Sequence, residues 1–385
     1  MKQKNINSNI LPKNMVKKML QSRAIRTAIT KQSHFLFFHF YLAHYVKHET
    51  ANFHREIFRL TEDDSIKNMV IVAFRGSAKS TIMTVSYPLW SILGKPKKKF
   101  VLILCQTMTQ ARRHMSNIRQ ELESNELLKN DLGPFKDDAN EWGMFSIVFP
   151  KLNARISVAS SEQSIRGLRH AQYRPDLIIG DDLEDINSTR TLEGRDKTYQ
   201  WLTGDVIPAG DQNTQLVLIG NLLHEDSLLM RLKQGIEDGE FDGIFRKYPL
   251  LDEKTGHCLW PGKYPDEKSL IAEKKKIGSE IAWQREYLLR IVHDHMQVIL
   301  PKWIHYYDAL PSNEHHRVVA IGIDLAISEK NTADYTAMVA GIIARENKKC
   351  NLYILPNPIN SRMDFSRTKI TARNLYDSLK ASYRE

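Results

Sequence analysis

The stretch that decides the fold is "NMVIVAFRGSAKSTIMT", Asn68 to Thr84. "NMVIVAF" reads as a buried strand, "RGSAKS" as a tight turn, and the residues after it as the start of a helix. A strand, a turn whose N–H groups point inward and a helix N-terminus together make a cradle for phosphate. The usual spacing is glycine, four residues, glycine, lysine, then serine or threonine. Lys79 and Ser80 fit it, Ala73 and Ala78 replace the two glycines, and Gly76 remains inside the loop. Alanine can line such a turn if its φ stays negative, which sets an expectation for the structure. On this reading Arg75, Gly76, Ser77, Ala78, Lys79, Ser80 and Thr81 form an ATP-binding loop. Lys79 contacts the β and γ phosphates, the Ser80 hydroxyl meets magnesium, and Arg75 lies near the γ phosphate. The competing reading is an ordinary strand-to-helix turn with a surface lysine.

Working outward, short apolar runs alternate with amphipathic ones: "FVLILC", "ARISVAS", "DLIIG" and "QLVLIG" read as further buried strands. "TMTQARRHMSNIRQELESNELL" places Met108, Ala111, Met115, Ile118 and Leu122 on one helix face. The alternation predicts an α/β fold, a mostly parallel sheet with helices on both faces. Near the start, "HFLFFHFYLAHYV" is too short to span a bilayer and reads as a buried helix. The expected organisation is a basic arm and helix over 1–50, a phosphate-loop domain over 51–250 and a connecting region over 251–314. A second domain over 315–385 starts with "VVAIGIDLA", "YTAMVAGII" and "NLYILP" and closes on one helix.

Three further segments carry chemistry. "RPDLIIGDDLED" delivers Asp181 and Asp182 at the end of a strand, where ligands bind in open α/β sheets. Asp181 then holds magnesium through water, and Asp182 orients or deprotonates the attacking water, with Glu184 a competitor for that role. "QLVLIGNLLHEDSLL" ends a strand on Gly220 and Asn221, at a place that can sense the γ phosphate. "GIDLAISEKNTADYTA" ends a strand on Asp324, a first ligand for a two-metal nuclease, although one acid cannot hold two cations. Each alone is also explained as a strand end or a capping turn.

Composition fits a soluble globular protein, with 42% hydrophobic and 26% charged residues in a chain of 385. The cysteines Cys105, Cys258 and Cys350 have no paired spacing, which excludes a disulfide framework or a zinc ribbon and suits a reducing cytosol. The net charge is +10, and residues 1–33 hold Lys2, Lys4, Lys13, Lys17, Lys18, Arg23, Arg26 and Lys31 with no acid. Such an arm holds a phosphate backbone or is simply solvated.

Taken in order, these segments resemble the large terminase subunit of tailed bacteriophages, the DNA-packaging motor. The likeness runs from "ANFHREIFRL" at Ala51 to the end of the chain. Its most specific pieces are "FRGSAKS", "IRGLRHAQYRPDLIIGDDLED", "VLIGNLLHEDSLL", "WPGKYP" with "REYLL", and "GIDLAISEKNTADYTA". The family is known for altered phosphate loops, including Arg-Gly-x-Ala-Lys-Ser forms, so the alanines look like a family dialect. The resemblance implies a P-loop ATPase domain followed by a nuclease of RNase H fold. Lys79 and Ser80 match its loop, Asp181 the magnesium-holding acid, and Asp182 the catalytic position, where the family usually has glutamate. Gly220 and Asn221 match the motif coupling hydrolysis to movement, with threonine more usual at the second position. Arg166 and Arg169 in "SIRGLRH" are candidates for an arginine finger, in cis or toward a neighbouring subunit. Asp324 matches the first nuclease metal ligand.

The family draws its other nuclease carboxylates from strands beyond the first helix of that domain. Asp334 and Asp364 match none of them, so the RNase H-like domain is expected to be incomplete and nuclease activity lost. The implied function is ATP-driven translocation of double-stranded DNA into a procapsid. The implied cofactors are ATP and Mg2+, with two divalent metals for a complete nuclease. The implied partners are double-stranded DNA, a portal protein, a small terminase subunit and further copies in a ring, with no membrane. The implied setting is the cytoplasm of a bacterial host, from a phage or prophage gene. A helicase-like ATPase of another lineage is an alternative that leaves the Asp324 segment unexplained. An inactive prophage remnant is another.

Overall fold

The computed structural model describes residues 18, 21–136, 141–292, 304–310, 317–326, 335–346 and 349–383. The chain divides into two compact units, Met1–Asp294 and His295–Glu385. That division falls inside the stretch 251–314 read from the sequence as a connection.

The first unit is built on seven strands: β1 (Asn68–Ala73), β2 (Phe100–Cys105), β3 (Ser146–Phe149), β4 (Ala154–Ser160), β5 (Leu177–Asp181), β6 (Gln215–Gly220) and β7 (Ile244–Tyr248). They lie in the order β3-β4-β2-β5-β6-β1-β7. Only the β3–β4 pair is antiparallel; the other neighbours run parallel. Alternate side chains enter two cores, one on each face, as the pleat requires. Met69, Ile71, Val101 and Ile103 join one cluster, while Val70, Val72, Leu102 and Leu104 join the other. Helices therefore cover both faces, as the α/β pattern predicts.

Helix Met108–Ser124 buries Ala111, Met115, Ile118 and Leu122, and Met108 packs half-buried against the same core. The sequence pattern runs on past Ser124, but the chain starts a new helix there. Asn125 accepts from the Leu128 N–H at 3.1 Å and caps Glu126–Leu132.

The apolar N-terminal run forms the helix His34–Tyr41, with His34, Phe37, Phe38, Phe40 and Tyr41 buried. The helix before it, Arg23–Gln32, corrects one expectation. Arg26 is not a solvated arm charge: it is buried and donates to both oxygens of Asp131, at 2.7 and 2.6 Å. Lys2, Lys4, Lys13 and Lys17 lie outside the described residues. No helix among the described residues is long and apolar enough to cross a membrane.

The second unit holds β8 (Arg317–Asp324), β9 (Thr336–Glu346), β10 (Lys349–Ile354) and β11 (Ile359–Ser361), followed by the helix Phe365–Tyr383. All its strand pairs are antiparallel, with β9 central. A small core of Ala340, Ile342 and Leu355 holds it together. Asp324 ends β8 and is exposed, and Asp334 lies outside the described residues.

Candidate nucleotide-binding site

Strand order assembles the site. β6 lies between β1 and β5, and all three run parallel, so their C-terminal ends sit side by side. Val72 is level with Gly220, and Asp181 with Ile219. The loop after β1, Asp182 after β5 and Asn221 after β6 therefore emerge together at the edge where ligands bind in such sheets.

The loop Phe74–Ser80 is fastened from outside. Arg75 N–H donates to the Glu286 carbonyl at 2.8 Å and Ser77 N–H to the Phe74 carbonyl at 3.1 Å. Lys263 Nζ donates to the Gly76 carbonyl at 2.9 Å, and His54 Nε2 lies 2.7 Å from the Ser77 carbonyl. The N–H groups of Gly76, Ala78 and Lys79 find no acceptor among the described residues. Free N–H groups clustered ahead of a helix start, here interrupted by the bonded Ser77 N–H, form an anion nest. Gly76 has φ 76°, and Ala78 has φ 68°. The expectation of negative φ at Ala78 is thus wrong: the alanine occupies the left-handed conformation that the usual glycine would adopt. The other replacement, Ala73, ends β1 and needs no such conformation. After Ser80, residues Thr81–Ser86 wind as a π-helix that continues into Tyr87–Leu93, a local irregularity often found at functional sites.

Lys79 is only 8% exposed, and its Nζ donates to Asn221 Oδ1 at 3.1 Å. Asn221 Nδ2 in turn donates to Glu286 Oε2 at 2.7 Å. The Ser80 hydroxyl donates to Asp181 Oδ1 at 3.4 Å. The other Asp181 oxygen is 3.1 Å from His114 Nε2, whose Nδ1 lies 3.0 Å from Thr84 Oγ1. A hydroxyl and a buried carboxylate side by side suit a hard, oxygen-seeking cation such as Mg2+. Among the described residues no group of three or more His, Cys, Asp or Glu could hold an ion alone, so phosphate and water oxygens would complete its shell.

Asp182 has φ 46° and its N–H donates to the Ile219 carbonyl at 3.0 Å. Burial, then the Asp181 charge, pushes its carboxyl up to about 6, and Lys79 offsets part of that. Burial pushes Glu184 up to about 7. Both Glu184 oxygens accept from the Leu228 N–H at 2.9 Å, at the start of helix Leu228–Glu237. Both acids line the cavity, but Glu184 is engaged as a helix cap, whereas Asp182 lies close enough to Lys79 to feel its charge. A Cβ at Gly220 would sit 3.0 Å from Leu229 Cδ1, so the close packing of helix Leu228–Glu237 on this strand end favours glycine there.

A cavity of about 580 Å³ is lined by Arg75, Lys79, Asp182, Glu184, Asn221 and Glu286, among others. A second, of about 340 Å³, touches the other side of the loop at Gly76, Ala78 and Thr81 and is walled by Tyr45, His48 and Trp260. Lys263 stands over the Trp260 ring at 5.0 Å. Arg166 and Arg169 are not in either cavity. They line a separate one of about 150 Å³, where Arg166 Nε donates to Asp205 Oδ1 at 2.6 Å. Asp324 belongs to the other unit. Sequence reasoning missed His114 and Glu286. His114 sits in an ordinary amphipathic helix pattern and gave no signal, while Glu286 lies within "REYLL", a segment singled out without a role.

No family model matches the chain, and no curated protein does. Among solved structures it is similar to the large terminase of bacteriophage HK97, at 12% identity over 86% of this chain and 68% of that one, with a TM-score of 0.44. It is similar to the large terminase of a thermophilic bacteriophage, at 10% identity over 83% and 70%, with a TM-score of 0.40. It is also similar to a mutant of the large terminase ATPase domain of Thermus phage P74-26, at 12% identity over 63% and 95%, with a TM-score of 0.40. Large terminases are thus what the chain is similar to, at low identity.

Proposed function

We propose that the first unit binds and hydrolyses ATP, and that the chain uses this to drive double-stranded DNA as a terminase-type packaging motor. The observation that carries the ATPase is the meeting of Lys79, Asp181, Asp182 and Asn221 at three adjacent parallel strand ends, around an anion nest. The motif resemblance and the +10 net charge support the DNA part. A motor grips phosphates without reading bases, so its DNA binding falls with salt and tolerates sequence changes.

In this mechanism the nucleotide's phosphates lie on the N–H groups of Gly76, Ala78 and Lys79. Lys79 leaves Asn221 for the β and γ phosphate oxygens, and Arg75 stands at the γ end. Ser80 and Asp181 would hold Mg2+, which would neutralise phosphate charge there. Asp182 takes the proton of the water that attacks the γ phosphorus. The bond to the bridging oxygen breaks, and ADP leaves with the electron pair. The aromatic cavity beside Gly76 and Thr81 receives the nucleoside end. Portal protein, small terminase subunit and a ring of copies in the host cytoplasm are the partners and setting that belong to this proposal. In such a ring Arg166 and Arg169 act toward a neighbouring subunit. Asp324 is proposed only as a first metal ligand, since one carboxylate holds no two-metal site.

The test is DNA-stimulated ATP hydrolysis with magnesium, wild type beside Lys79→Ala. Turnover that falls by about 100-fold or more in the variant supports the proposal, a loss of the size expected for removing transition-state charge stabilisation. A folded wild type that hydrolyses nothing sinks it and leaves an inactive remnant. Hydrolysis coupled to strand separation would make the chain a helicase instead.

A further inference from the structure

Glu286 is a side chain of the cavity to which the nucleotide mechanism gives no task. Its side chain is 13% exposed and lines the main cavity. Oε2 accepts from Asn221 Nδ2 at 2.7 Å, and Oε1 accepts from Arg285 Nε at 3.0 Å. Its backbone carbonyl accepts from the Arg75 N–H at 2.8 Å, within the phosphate loop. One residue therefore holds the loop by its main chain and Asn221 by its side chain.

An amide side chain has two nearly equivalent ends, and its neighbours decide which way it points. A carboxylate accepts and does not donate, so it selects the Asn221 NH2 end. The oxygen end is left for Lys79, at 3.1 Å. The ammonium group donates and does not accept, so the two partners agree on a single orientation.

We propose that Glu286 is a positioning residue that fixes the Asn221 amide, with its oxygen toward Lys79 and hence toward the incoming phosphate. This rests on the ATPase proposed above. When a phosphate draws Lys79 away, Asn221 stays in place because Glu286 still holds its nitrogen. Its oxygen is then free to accept a hydrogen bond from the attacking water. Without Glu286 the amide turns freely, and the water loses an aligned acceptor while the phosphate nest is intact. The loss therefore falls on kcat and spares nucleotide affinity.

The experiment is a double-mutant cycle on kcat and on ADP affinity. It uses wild type, Glu286→Ala, Asn221→Ala and the double variant, with melting curves to confirm folding. Glu286→Ala is expected to lower kcat about tenfold with ADP affinity within about threefold, and to cost nothing further once Asn221 is alanine. Glu286→Gln keeps an acceptor oxygen for Asn221 and is expected to retain most of kcat. If Glu286→Ala does not fold, the cycle is run with Glu286→Gln. A smaller kcat loss that vanishes in the Asn221→Ala background is then expected. Single losses that multiply in the double variant, or a loss confined to ADP affinity, overturn the proposal while the ATPase stands. A wild type without hydrolysis removes the ATPase itself, so the two failures are told apart.

Discussion

Alanine at position 78 adopts φ 68°, inside the loop that carries Lys79. A Cβ in the left-handed region crowds the following carbonyl and costs about 1 kcal/mol. Ala78→Gly relieves that crowding but also gives the unfolded chain more freedom, which takes some of the gain back. The expected outcome is a stability gain of up to about 1 kcal/mol, read from a denaturant melt; a loss of stability would mean that the loop has another conformation in solution. The acids beside it separate by engagement. Both line the cavity, but Glu184 shares its two oxygens with the Leu228 N–H, while Asp182 has the Lys79 charge near it. Asp182→Asn is therefore expected to lower ATP turnover by about 10² or more with ADP binding retained. Glu184→Gln is expected to act more on the anchoring of helix Leu228–Glu237 than on chemistry. Single-turnover hydrolysis of both variants decides the matter, and a larger loss in Glu184→Gln would reverse the assignment.

At the scale of elements, the order of strands does what no single motif can. "FRGSAKS" and "DLIIGDDLED" are about a hundred residues apart, and the sequence shows only that both follow apolar runs. Placing β6 between them brings Asn221 onto Lys79, a contact across 142 positions. The five central strands were legible because four are apolar runs buried on both faces, and β4, although it carries Arg155, Ser157 and Ser160, keeps Ile156, Val158 and Ala159 buried. The edge strands were not. β3 has four residues, and β7, "IFRKY", carries Arg246 and Lys247 and is mostly half-buried. Edges need no apolar run, so their pattern is lost among loops. The site follows the same division. Strand-end acids and the loop lysine announce themselves by position, whereas Glu286 acts from the end of helix Glu280–Glu286, whose sequence reads as an ordinary amphipathic turn. The Ala78 backbone was misread for a related reason, since φ is set by the loop's tethers at His54 and Lys263 and leaves no trace in composition.

For the first unit as a whole, burial sets the response of stability to pH through groups of opposite sign. His34 has both ring nitrogens hydrogen-bonded, to Thr61 at 2.7 Å and Ser86 at 2.9 Å, and burial holds it well below the usual histidine range. Burial pushes His39 and His54 down to about 4. Each is neutral in the fold, while the unfolded chain takes up its proton near pH 6.5. The unfolded state therefore binds more protons as pH falls from 6.5 toward 4, and stability drops across that window. Asp182 and Glu184 oppose this, because raised carboxyls bind protons earlier in the fold than out of it. The net slope mixes both signs, so a difference between variants is the clean measurement. His39→Gln retains groups able to meet the Phe35 carbonyl and the Thr50 hydroxyl, which His39 contacts at 2.8 Å each, and it removes the titration. At neutral pH the variant is expected to be the less stable of the two. Between pH 6.5 and 4 wild type is expected to lose about 3 kcal/mol relative to it, at about 1.4 kcal/mol per pH unit. Urea midpoints of the two proteins at a series of pH values check this, and parallel curves would show that His39 is charged in the fold.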